Sequence, residues 1–179
     1  MQLKGTLKKG FPVVLLTVVV AISVSLLSFT DSLTRGQIEA QQEAKVQAML
    51  SDMFPDMSRY ELEGEIYTVY SESGQVSYAF IAIGKGYGGD INILVGLEDE
   101  NTIKGISIVS QTETPGLGTR VAEESFTGQF TGTSIADVAE RRDGGQIDAL
   151  TSSTISSLAV IEAVQETAME KVKLIKERD

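Results

Sequence analysis

Four hydroxyl side chains in a row, Thr151, Ser152, Ser153 and Thr154, stand where a strand-like apolar segment gives way to an amphipathic helical pattern. Asp148 precedes them, and Ser156 and Ser157 come within one turn after them. A helix start leaves backbone N–H groups free, and the positive end of the macrodipole lies there, so the position favours a phosphate. Hydroxyls at such a boundary have two uses. They cap the helix, or they hold an anion, one oxygen serving as its attachment point. The chain has no His. Thr154 therefore lacks the base that would make it a catalytic nucleophile, and a bond formed at its oxygen needs a second enzyme. Asp148 either positions that reaction or caps a turn.

Two other segments carry possible chemistry. In Glu113-Thr114-Pro115-Gly116-Leu117-Gly118, proline fixes one φ angle and the glycines admit backbone shapes closed to other residues. Such a loop is a simple tight turn, or it aims backbone polar groups at a planar heterocycle while Leu117 lies against the ring. Gly86-Tyr87-Gly88-Gly89-Asp90-Ile91 is a hairpin turn with a surface aromatic, or one wall of the same pocket.

Together these segments resemble a known family. Asp148 to Thr154 resembles the flavinylation motif D-x-x-[ST]-G-A-[ST] of FMN-binding domains, with Ser152 in place of the usual Gly and Ser153 in place of the usual Ala. The E-T-P-G-L-G loop and the G-Y-G-G-x-I turn resemble those of the G subunit of the Rnf complex and of the related C subunit of the sodium-pumping NADH:quinone reductase. The resemblance implies FMN joined to Thr154 by a phosphoester, with Ser153 a competing hydroxyl. It implies an isoalloxazine cradled by Glu113, Thr114, Pro115, Gly116, Leu117 and Gly118, beside Tyr87, Gly88 and Gly89. Asp148, Thr151, Ser152, Ser153, Ser156 and Ser157 would surround the phosphate end. It also implies a separate magnesium-dependent flavin transferase that takes FMN from FAD.

Composition narrows the classes. With no Cys and no His, the chain supplies no iron–sulfur cluster and no imidazole haem ligand, so redox chemistry needs an organic cofactor. The net charge of −10 argues against nucleic acid and against adhesion to anionic lipid. Phe11 to Phe29 is an uncharged apolar run of 19 residues, close to the ~20 that cross a bilayer. A cleaved signal peptide or a buried core helix are the alternatives. The run is longer than a usual signal core, and Ser28-Phe29-Thr30-Asp31 is a poor cleavage site. Lys4, Lys8 and Lys9 precede it without an acidic residue, which places the C-terminal domain outside the cytoplasm.

The elements that must position the site emerge from pattern. Residues 1–10 read as a cytoplasmic N-terminus, 11–29 as a transmembrane helix, 30–56 as a linker helix ending at Pro55, and 57–179 as the FMN-binding domain. Within the linker, Ile38, Val46, Met49 and Leu50 recur at helical spacing. Tyr60–Tyr70, Tyr78–Ile83, Ile91–Leu97 and Thr102–Val109 read as strands of an antiparallel meander. Val121–Phe130 reads as a short helix, and Ile135–Val138 as a strand or extended segment. From Ile155 the apolar positions mark one face of a long helix, with Lys171, Lys173 and Lys176 at its negative end. The fold class is α+β: one membrane helix, then an antiparallel sheet backed by helices.

The function these readings imply is electron transfer within a membrane ion-translocating ferredoxin:NAD⁺ oxidoreductase of Rnf type. The chain would carry electrons as one member of the complex, with the other membrane and peripheral subunits as partners. Rival readings are a component like the C subunit of the quinone reductase, an anchored FMN domain of an extracellular reductase, and a non-flavinylated scaffold module.

Overall fold

In a computed structural model, residues 3–177 are described, with the side chains of 3–11, 35 and 37–39 excepted. The side chains of Lys4, Lys8, Lys9 and Ile38, invoked above from pattern, thus lie outside the described residues. The chain divides into two compact units, the second beginning at Lys45.

The first unit is helical. Helix α1 runs Leu3–Met53, and its stretch Pro12–Thr34, 23 residues with a mean hydropathy of 2.5, is long and apolar enough to cross a membrane. Its apolar side chains, Val13 to Phe29, are exposed. Thr17, Ser25 and Thr30 donate their hydroxyls to carbonyls one turn back, which satisfies these polar groups within the helix itself.

The second unit contains the last turns of α1 and a five-stranded antiparallel sheet: β1 (Met57–Glu63), β2 (Ile66–Ser71), β3 (Val76–Lys85), β4 (Asp90–Leu97) and β5 (Ile103–Ser110). Spatial order equals sequence order, β1-β2-β3-β4-β5. Side-chain alternation sends each strand's apolar residues to two faces. On one face, Val69, Ala79, Leu94 and Val109 pack with Val46, Leu50 and Phe54. These last three come from the segment read as a linker. On the other face, Phe80, Ile91, Ile93, Val95 and Ile106 pack against the final helix α3 (Thr154–Lys176). Between β5 and α3 the chain makes tight turns that bring Val121, Phe126 and Phe130 into the same core, the two rings edge-on with centroids 5.6 Å apart. Burying each such ring contributes about 1.5–3 kcal/mol.

Four local expectations are corrected. Tyr60–Tyr70 is not one strand: Gly64 turns the chain at φ 66°, and Glu63 pairs with Ile66 across a two-residue hairpin. Val121–Phe130 is not one helix. It is a 3₁₀ turn Gly118–Ala122, a single turn α2 (Glu124–Thr127) and a second 3₁₀ turn Gly128–Phe130. Gly128 and the β-branched Thr127 are poor helix formers, and the breaks let three large side chains face one core. Ile135–Asp137 is a 3₁₀ turn rather than a strand. Ile135 and Val138 are both buried, a spacing of three that alternation cannot produce. Lys171 does not serve the helix end. It is buried and pairs with Glu65 at 2.6 Å, which raises its pKa.

Candidate functional site

The three motifs meet at one end of the sheet. Gly86–Gly89 is the hairpin turn between β3 and β4, closed by Gly86 N–H donating to the Gly89 carbonyl at 2.9 Å. The neighbouring strand β5 is bulged near its end, where Asn92 pairs with Ser110 but Ile93 with Ile108. A bulge bends a strand and re-aims the chain beyond it, here the loop Gln111–Gly118. In that loop Leu117 N–H donates to Thr114 O at 3.1 Å around Pro115 and Gly116. Gly116 has φ 75°, so this is the turn that wants proline second and glycine third.

Glu113 ties the motifs together. Its side chain is turned inward, and the residue is only 5 % exposed. Oε1 accepts from Gly88 N–H at 2.8 Å, and Oε2 accepts from Ser156 Oγ at 2.7 Å. A Cβ at Gly86 or Gly118 would collide with this carboxylate, so the carboxylate's seat requires glycine at both. Thr112 Oγ1 adds a bond to Gly88 O at 3.1 Å. One carboxylate thus joins the glycine turn, the proline loop and the first turn of α3.

These elements enclose a cleft of about 470 Å³, within the range of small-molecule sites. Tyr87, Glu113, Thr114, Leu117 and Gly118 line it from one side; Thr151, Ser152, Ser153, Thr154, Ile155 and Ser156 line it from the other. Tyr87, Leu117 and Ile155 expose apolar surface at its mouth. Gly88 and Gly89 hold the turn without lining the cleft, and Pro115 and Gly116 shape the loop from behind. Ser157 lies buried below, its Oγ bonded to Ser153 O and accepting from Leu150 N–H. Asp148 stands apart. Its carboxylate is gripped by Arg141 at 2.8 and 3.0 Å, and its backbone N–H donates to Gln129 Oε1 at 2.7 Å. The Arg141 hydrogen bond holds the Asp148 carboxyl below its ordinary pKa.

The hydroxyl cluster does not cap α3. Ser153 is the N-cap residue and makes no side-chain cap bond. Its Oγ is buried and has no hydrogen-bond partner among the described residues. Thr154 Oγ1 is exposed and reaches only Leu150 O at 3.4 Å. A planar flavin with an anionic tail fits this geometry. The exposed apolar groups suit the ring, and the helix N-terminus with an unpaired buried hydroxyl suits the phosphate.

Sequence reasoning missed Arg120. It stands two residues beyond the proline loop, and its Nη1 donates to Ser152 Oγ at 3.1 Å. No local pattern marks it, because the 32-residue separation hides the contact.

Comparison with known proteins agrees with the geometry. A family model described as FMN-binding domain matches residues 86–168, the span from the glycine turn through most of α3. The G subunit of the ion-translocating oxidoreductase complex of Methanosarcina acetivorans is 30% identical, covering 85% of this chain and 88% of its own. The G subunit of the proton-translocating ferredoxin:NAD(+) oxidoreductase complex of Clostridium ljungdahlii is 30% identical over 84% and 83% of the two chains. Among solved structures, the domain is similar to Shewanella oneidensis NqrC, with TM-score 0.50 at 19% identity over 68% of this chain and 74% of that one. That similarity concerns the fold. The chain belongs to the family of G subunits of ion-translocating oxidoreductase complexes and carries that family's FMN-binding domain.

Proposed function

We propose that this chain is an electron-carrying subunit of a membrane ion-translocating ferredoxin:NAD⁺ oxidoreductase of Rnf type, with FMN held covalently at Thr154. The observation that carries the reading is the cleft, where the Glu113 loop, Tyr87 and the hydroxyls before α3 face one another. The names of the sequence relatives support the complex.

Thr151, Ser152 and Thr154 are the exposed hydroxyls of the cluster, and of these the resemblance to the flavinylation motif favours Thr154 as acceptor. Ser153 Oγ is buried, Ser156 Oγ is committed to Glu113, and Ser157 is enclosed. In the attachment step Thr154 Oγ displaces AMP from the pyrophosphate of FAD, forming an Oγ–P bond to FMN. The hydroxyl proton passes to a separate flavin transferase. When bound, the flavin supplies one- and two-electron chemistry. Tyr87 and Leu117, which line the cleft, would hold the ring, and the hydroxyls before α3 would hold the phosphate end. In this reading the helix at 12–34 anchors the domain in the bilayer, and the lysines before it support an outer-side domain. There a covalent bond keeps FMN from being lost.

The intact mass of the chain, produced with and without its flavin transferase, tests the reading. A transferase-dependent increase of one FMN less water is expected. An unmodified mass with a colourless folded protein would leave the scaffold reading in its place.

A further inference from the structure

We propose that Arg120, Ser152 and Ser153 form a phosphoryl subsite in front of α3, with Arg120 supplying its positive charge. The inference rests on the reading that a phosphodiester sits at Thr154, and it names what receives that group's charge.

Three observations carry it. Ser152 Oγ accepts from Arg120 Nη1 at 3.1 Å, which points the guanidinium at the hydroxyl row. Ser153 is 9 % exposed and lines the cleft, and its Oγ has no partner among the described residues. A buried hydroxyl without a partner is uncommon in a folded protein and marks a place for an incoming acceptor. Third, α3 is 23 residues long, so its free N–H groups and dipole favour an anion where Thr154 begins the helix.

Charge accounting selects Arg120. The chain carries −10, so an added anion needs a local cation. Arg141 is already locked in a fork on Asp148. Arg120 is paired through Nε with the exposed Glu123, 3.4 Å from each carboxylate oxygen, a pair that solvent screens, while Nη1 stays on the serine side. The planar fork suits a phosphoryl group better than an ammonium does. Ser152 and Ser153 are also the two positions where the chain departs from the motif it resembles.

The test uses the full chain in phosphate-free detergent, loaded by isolated transferase with FAD and followed by ³¹P NMR. The phosphodiester resonance of the wild type is expected to differ from that of the denatured protein and to resist added NaCl. In Arg120→Gln it should move toward the denatured position and become salt-sensitive; Arg120→Lys should lie between. Should Arg120→Gln fail to load, Ser152→Gly keeps the charge, removes its tether, and should give a partial shift of the same sign. A resonance unchanged in the variant that loads would overturn the assignment of Arg120. Wild type treated with transferase and FAD that shows no flavin mass and no phosphodiester signal would instead overturn the reading of Thr154, which separates the two failures.

Discussion

Ser156 Oγ donates to Glu113 Oε2 at 2.7 Å across 43 residues of chain, and both residues are buried. With Gly88 N–H on the other oxygen, this one carboxylate bridges all three motifs. Glu113→Ala leaves the buried Ser156 hydroxyl without its acceptor and the exposed Gly88 N–H to water, at a cost of about 1.5–3 kcal/mol for the buried hydrogen bond to a charged group. The melting temperature in detergent should fall, and transferase-dependent flavin loading should fall with it. A variant that melts and loads like the wild type would show that the motifs meet without this carboxylate.

Thr154→Ala should abolish covalent flavin and leave the fold intact. Its hydroxyl makes one weak bond, at 3.4 Å, and caps nothing. The stability change should stay below the ~1 kcal/mol of a cap residue. Intact mass and circular dichroism check both halves. Peptide mapping that placed flavin on Ser153 or Ser156 would sink the assignment.

Gly116→Val tests whether the proline loop acts on the cofactor. A Cβ there meets nothing within 4 Å, so packing is not at issue. The φ of 75° is the difficulty, with left-handed backbone costing roughly 1–2 kcal/mol and more for a β-branched residue. The turn should reopen and shift Leu117 while flavin stays attached through Thr154. The reduction potential of the loaded protein should change in a redox titration. An identical titration from a folded variant would make the loop purely structural.

Acid should loosen the Asp148–Arg141 pair. The Asp148 pKa lies below its ordinary 3.8 because Arg141 donates to it. A lowered folded pKa stabilises the native state above the unfolded value and loses that contribution as pH falls through the folded one. Between neutral pH and about pH 5 the pair should contribute in full, and below about pH 4 it should fade. Both groups are exposed, so added salt should screen it. Melting temperature against pH, compared between wild type and Asp148→Asn, measures this. The difference between the two should shrink at low pH; a constant difference would point to another role for Asp148.

Orientation can be read on intact cells. A cysteine introduced by Asp99→Cys in this Cys-free chain should react with a membrane-impermeant maleimide. Protection until the cells are lysed would put the domain on the cytoplasmic side.

Much of this architecture was legible in the sequence, because its signals are local. Strands β3, β4 and β5 are apolar runs rich in β-branched and aromatic residues between polar turns, and α3 repeats its apolar face from Leu158 to Ile175. The motif residues of the cleft were legible as well, through the resemblance. One local signal was passed over: Gly64 between Glu63 and Glu65 marks the hairpin inside the region Tyr60–Tyr70. The rest of what escaped depends on distant partners. The 3₁₀ turns around Phe126 and Ile135 are set by core burial against local preference. Arg120 and the inward turn of Glu113 have meaning only once α3 is in place.

The meander has a temporal consequence. Each strand pairs with its neighbour in the chain, so the sheet closes short loops and can form as the chain emerges. The cleft is different: its ties span 25, 32 and 43 residues. The first can form once the proline loop exists, but the other two wait for the hydroxyl row and the first turn of the last helix. A maturation enzyme that reads the assembled cleft would therefore modify finished molecules and pass over truncated ones, and the yellow colour of the protein would be a certificate of completed folding.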